Sequence, residues 1–126
     1  MIAGAVSAYD PNLILVGLAG SELVRAGKAA GLRVAQEGFP DRGYTPDGQL
    51  TPRGGAGALI TAPEDVATNA VRLAREGICS DGETLRIDTL CLHGDHPAAV
   101  ENARQVREAL ECAGVEICPL AQVLMG

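Results

Sequence analysis

Leu13-Ile-Leu-Val-Gly-Leu18 is an unbroken apolar run, bounded by Pro11 and by Gly20-Ser21. A run this short and this apolar fits a strand buried on both faces, and such strands belong to parallel sheets. The rest of the chain follows from it. Ser21 is placed to cap a helix whose buried side takes Leu23, Ala26, Ala29 and Ala30, with Gly31 as its left-handed stop. Arg33–Glu37 reads as a second strand. Pro63-Glu64-Asp65 opens a helix with Val66, Ala70, Leu73 and Ala74 on one side and Gly77 at its end. Asp81-Gly82 marks a turn, with a small hairpin around Ile78–Ile87. Thr89–His93 is a third buried strand. A long helix follows, with Val100, Ala103, Val106, Leu110 and Ala113 at helical spacing, and Val115–Cys118 reads as a last strand. Ile2–Ala8 resembles the final turns of a further helix.

Alternation of this kind predicts an α/β fold of parallel β/α units with crossover helices, about half of a (β/α) barrel. A complete barrel takes about 250 residues. The 126 residues therefore fit a single domain, 1–126, of about half that size. Bare edges of apolar parallel strands predict pairing with another polypeptide or self-association.

Hydrophobic residues make up 47% and charged residues 21%, which excludes intrinsic disorder. The net charge of −6 argues against nucleic acid and anionic membranes, both of which demand clustered Lys and Arg. One Phe, two Tyr and no Trp leave little for base stacking. No apolar run approaches the ~20 residues of a membrane span, and no secretory signal is visible, so a cytoplasmic location is expected. Cys79, Cys91, Cys112 and Cys118 form no Cys-x-x-Cys and read as reduced thiols.

Gly38–Ala58 has no helical period and is dense in turn residues, which predicts a long loop; unstructured loops of this length usually carry function. In parallel sheets chemistry sits at the carboxyl ends of the strands. Three candidate groups fall there: Glu37 with Phe39-Pro-Asp41-Arg42-Gly-Tyr44, Arg53, and His93-Gly-Asp95. His93 suits acid–base work with Asp95 as its carboxylate; alternatively Asp95 caps the next helix and His93 fills space. Asp41-Arg42 is either an acid beside a cation that binds a carboxylate or phosphate, or a solvated surface pair. His93-x-Asp95-His96 hints at a metal, but no other histidine is available, and no metal ligated by this chain is expected. Gly17-x-x-Gly20-Ser21 lacks the pattern of a nucleotide loop and reads as helix–strand packing.

Taken in order, Gly17-Leu-Ala-Gly-Ser21, Glu37-x-Phe39-x-Asp41-Arg42-x-Tyr44, Asp47-Gly48-x-Leu50-x-Pro52-Arg53, Gly57-Ala58-Leu-Ile60 and Cys91-x-His93-Gly-Asp95 resemble the LamB/YcsF family, that of the 5-oxoprolinase A subunit. The resemblance runs from about Asp10 to Ile117 and covers the C-terminal half of a member. It implies an α/β fold whose parallel β/α units form part of an irregular (β/α) barrel of the glycoside hydrolase/deacetylase type. It also implies hydrolytic ring opening of 5-oxo-L-proline (pyroglutamate) to L-glutamate, with ATP used together with partner subunits B and C. The implied catalytic residues are His93, Asp95, Glu37 and Asp41, and the implied substrate-binding residues are Arg42, Arg53 and Tyr44. Asp95 or Glu37 would then be the carboxylate partner of His93. The family's opening Asn-x-Asp-x-Gly-Glu, its Cys-Gly-x-His and its Lys-Pro-His-Gly-Ala blocks are absent from these residues, and Gly38 and Pro40 stand where members usually have an aliphatic residue and alanine. An N-terminal half is therefore a further expected partner. The competing expectation is a non-catalytic binding or interaction module.

Overall fold

The computed structural model describes residues 1–125. The elements run α1 (Ile2–Tyr9), β1 (Ile14–Leu18), α2 (Glu22–Ala29), β2 (Arg33–Gly38), α3 (Pro63–Glu76), β3 (Ile78–Ser80), β4 (Glu83–Leu85), β5 (Thr89–Leu90), α4 (Ala99–Cys112) and α5 (Leu120–Met125). β1, β2 and β5 form a parallel sheet with β2 in the centre, and β3 and β4 form a separate antiparallel hairpin.

This arrangement corrects the expected part-barrel of the glycoside hydrolase/deacetylase type: neither sheet closes or curls into a barrel wall. Two local causes shorten the parallel sheet. β5 keeps only the pairs Glu37 with Thr89 and Gly38 with Leu90 before the chain leaves the ladder. The strand expected at Val115–Cys118 does not form, because the end of α4 consumes its first residue. Gly114 turns left-handed at φ +78°, and the Val115 N–H donates back to Leu110 O at 2.9 Å, a Schellman cap. The same device ends α2, with Gly31 at φ +80° and Leu32 N–H on Gly27 O.

α2 turns a different side inward than its apolar residues suggest. Val24 and Gly27 are buried, and the absent Gly27 side chain lets the helix close on Leu15 and Val34. Leu15 and Val34 are register partners, so α2 covers that face of β1 and β2. α3 presents Val66, Ala67, Ala70 and Leu73, close to expectation. α4 presents Asn102, Val106 and Leu110, whereas Val100, expected on the buried side, is 83% exposed. One core cluster joins α3 and α4 through Val66, Ala70, Val106 and Leu110; a second joins Leu73 to Ala19, Ile78 and Ile87. Gly77 lies at the junction of α3 and the hairpin at φ +71°, with Leu85 O only 2.1 Å from where a Cβ would stand. Only glycine fits there.

Leu73 is fully buried between the hairpin and the sheet. Leu73→Ala is expected to lower stability by about 3 kcal/mol in urea unfolding. Val100→Ala, on the exposed side of α4, is expected to stay within about 0.5 kcal/mol of the parent.

Candidate acid–imidazole site

The carboxyl ends of β2 and β5 lie side by side, and the residues that follow them build the site. Phe39-Pro40-Asp41-Arg42 is a tight turn closed by Arg42 N–H on Phe39 O at 3.2 Å. Proline at its second position matches the φ such a turn needs, which accounts for Pro40 locally. Pro40 is completely buried, and its carbonyl accepts from Asn69 Nδ2 at 2.8 Å. Gly38 is tight as well: a Cβ there would stand 3.3 Å from the Ile87 side chain.

Beyond this turn the long loop folds onto itself. Arg42 bridges Leu59, and Tyr44 bridges Leu50. Asp41 O accepts from Ile60 N–H at 2.9 Å, and Gly43 exchanges backbone bonds with Ala58 and Thr51. Gly43 allows this approach, since a Cβ there would stand 2.0 Å from Gly57 O. The Arg42 guanidinium points into the loop, with Nε donating to Ala58 O at 3.1 Å and Nη2 to Thr51 O at 3.0 Å. Arg42 is 9% exposed, so it is not the solvated surface pair that the sequence also allowed.

His93 follows β5. Its Nδ1 lies 2.7 Å from Asp41 Oδ2, and its ring stacks on Phe39 with centroids 5.5 Å apart and planes 17° from parallel. The carboxylate on His93 is thus Asp41, in place of the expected Asp95 or Glu37. Asp41 is 8% exposed, and its Oδ1 is buried without a hydrogen-bond partner. Asp95 is exposed in the bend before α4 and makes no cap there, the cap position falling on Ala98. Arg53 is exposed in the outer turn of the loop.

Glu37 is half-buried at the end of β2. Its register partners are Leu18 and Thr89, which puts it on the sheet face opposite α2. Cys91 directly follows β5, and its N–H donates to Gly38 O. Burial first, then the negative charges of Glu37 and Asp41, pushes its thiol up in pKa. That keeps the sulfur protonated and a poor nucleophile. Tyr44 is held neutral mainly by burial, and its hydroxyl accepts the Phe39 N–H at 2.8 Å. Phe39 is the participant that spacing alone does not single out; one aromatic beside Asp41 in a chain with a single Phe is the available signal.

The Gly17–Ser21 turn does not suit nucleotide phosphates. Gly20 N–H is taken by Gln36 Oε1, Ser21 N–H by Leu18 O, and Val24 N–H by the Ser21 hydroxyl. Glu22 occupies the first turn of the helix. Among the described residues no three His, Cys, Asp or Glu side chains gather as a metal site.

These features define an α/β protein with an acid–imidazole pair at the carboxyl rim of parallel strands. The chain belongs to the LamB/YcsF family, which it matches over residues 1–125. It is 50% identical to the 5-oxoprolinase A subunit of Methylococcus capsulatus, an alignment covering 99% of this chain and 50% of the relative. It is 52% identical to the protein of the same name from Thermus thermophilus, over 92% of this chain and 48% of that one. The crystal structure of the lactam utilization protein from Thermus thermophilus superposes with a TM-score of 0.79 at 48% identity, covering 92% of this chain and 47% of its own. The chain spans about half the length of the relatives it matches. Among the described residues no helix is long and apolar enough to cross a membrane.

Removing the Arg42 guanidinium takes the donor from Thr51 O and leaves Ala58 O with the Gly43 N–H alone. Arg42→Ala is expected to cost about 2 kcal/mol in urea unfolding. Arg42→Lys is expected to recover less than half of that, since one ammonium does not reproduce the planar fork.

Proposed function

We propose that the chain contributes to hydrolytic ring opening of 5-oxo-L-proline to L-glutamate, acting with the polypeptide that corresponds to the other half of its relatives and with subunits B and C of a 5-oxoprolinase. The observation that carries this reading is the His93–Asp41 contact at the strand rim, in a chain half-identical to proteins named as 5-oxoprolinase A subunits.

Asp41 accepts the Nδ1 proton of His93, which selects the tautomer with a free Nε2. Nε2 then takes a proton from the water that attacks the lactam carbonyl and delivers it to the ring nitrogen as the C–N bond breaks. The carbonyl carbon becomes the side-chain carboxylate of glutamate, and the ring nitrogen becomes its amine. Glu37 is the second carboxylate of the site. Arg53 and Tyr44 are the substrate contacts from the loop, Arg42 braces the loop that follows Asp41, and Asp95 lies at the margin. An unstrained lactam resists water, which is why ATP belongs to this reading. We assign its binding to the partner subunits, because the amides of the Gly17–Ser21 turn are already committed. No step assigned to this chain passes through ATP. The free edge of β1, with Val16 39% exposed, is where the other half of the protein would join.

The test is glutamate formation from pyroglutamate in the complete assembly of this chain, its complementary half and both partner subunits. His93→Gln is expected to lower turnover by roughly 10²–10⁴-fold. Asp41→Asn should also lower it, by presenting the wrong tautomer. Full turnover in His93→Gln would remove the imidazole from the reaction.

A further inference from the structure

We propose that Phe39 is a positioning residue that sets the plane of the His93 ring and so aims its Nε2. The inference rests on the acid–base reading of His93 given above.

His93 needs an external constraint. It lies beyond β5 in a segment without regular structure, and its side chain is 39% exposed. The torsion that turns an imidazole about its Cβ–Cγ bond has broad preferences and selects no single plane. The Nδ1 contact with Asp41 fixes one atom of the ring. Rotation about that hydrogen bond still swings Nε2, the atom that would meet substrate. The parallel Phe39 ring, 17° from the imidazole plane, removes that freedom.

Phe39 is itself held from both sides. Its N–H is bound by the Tyr44 hydroxyl at 2.8 Å, and its carbonyl closes the turn with Arg42 N–H. The next residue is buried Pro40, tied to Asn69 on α3. The chain's single phenylalanine is only half-buried and takes no place in the three core clusters. Its aromatic partner is His93. One four-residue turn therefore delivers both constraints, the carboxylate to Nδ1 and the ring to the face. As the imidazole gains a proton during turnover, the electron-rich face of Phe39 also favours the cation.

The experiment separates this role from simple packing. In the ¹⁵N-labelled 126-residue chain, long-range ¹H–¹⁵N spectra report the tautomer of His93, with His96→Gln used to assign the signals. The parent chain should show one tautomer, protonated at Nδ1. Phe39→Leu, which keeps apolar bulk without a ring, should shift His93 to a mixture of tautomers with faster exchange of the Nδ1 proton. Phe39→Tyr should restore the parent spectrum. Tyr44→Phe, which frees the Phe39 amide but keeps the ring of residue 44, should produce a smaller shift in the same direction. In the complete assembly Phe39→Leu should lower kcat about tenfold with KM nearly unchanged, as misaimed groups do. A parent-like His93 spectrum in Phe39→Leu overturns the proposal whatever the activity. A shifted spectrum with untouched turnover upholds the positioning of His93 and refutes its part in the reaction.

Discussion

The Arg42 guanidinium holds the functional end of this molecule together from inside the loop. Its two bonds to Thr51 and Ala58 carbonyls tie the start of a long irregular segment to its end. They add to the isolated bridges at Leu50 and Leu59 and to the backbone-bonded turns within residues 41–60. Buried carbonyls need donors, and the segment has no strand ladder to supply them. Arg42 supplies donors to Thr51 and Ala58, while the turn that follows β2 carries Asp41 to the rim of the sheet.

β1 is legible in the sequence because Leu13–Leu18 is a continuous apolar run, yet the strand is not buried on both faces: it lies at the sheet edge with Val16 39% exposed. α3 is legible because Val66, Ala70 and Leu73 keep helical spacing between a proline start and a glycine stop. The face of α2 is harder to read, since Gly27, which carries no hydrophobicity, decides where that helix touches the sheet. Val115 looks like a strand residue and is taken by a helix cap instead. The barrel fails for the same kind of reason. Strand–helix alternation sets connectivity and handedness, but sheet closure depends on how many residues each strand keeps in its ladder, and β5 keeps two.

The site shows a similar division. That chemistry-bearing residues gather at the ends of β2 and β5 follows from parallel-sheet topology. The pairing of His93 with Asp41 does not, because the two are 52 residues apart and meet only through the register of Glu37 with Thr89 and Gly38 with Leu90. Asp95 is nearer in sequence yet exposed, since the chain bends away before α4. Sequence distance favours Asp95; strand register favours Asp41. Pro40, unusual for the resemblance, is suited to its turn and seated against α3.

The energetic coupling of Asp41 and His93 tests this account most directly, and a double-mutant cycle with Asp41→Asn and His93→Gln, followed by urea unfolding of the chain, measures it. A buried carboxylate oxygen against an imidazole at 2.7 Å should give a coupling of about 1 kcal/mol or more. Effects of the two changes that simply add, within about 0.3 kcal/mol, would mean the pair does not form in solution and would contradict the account.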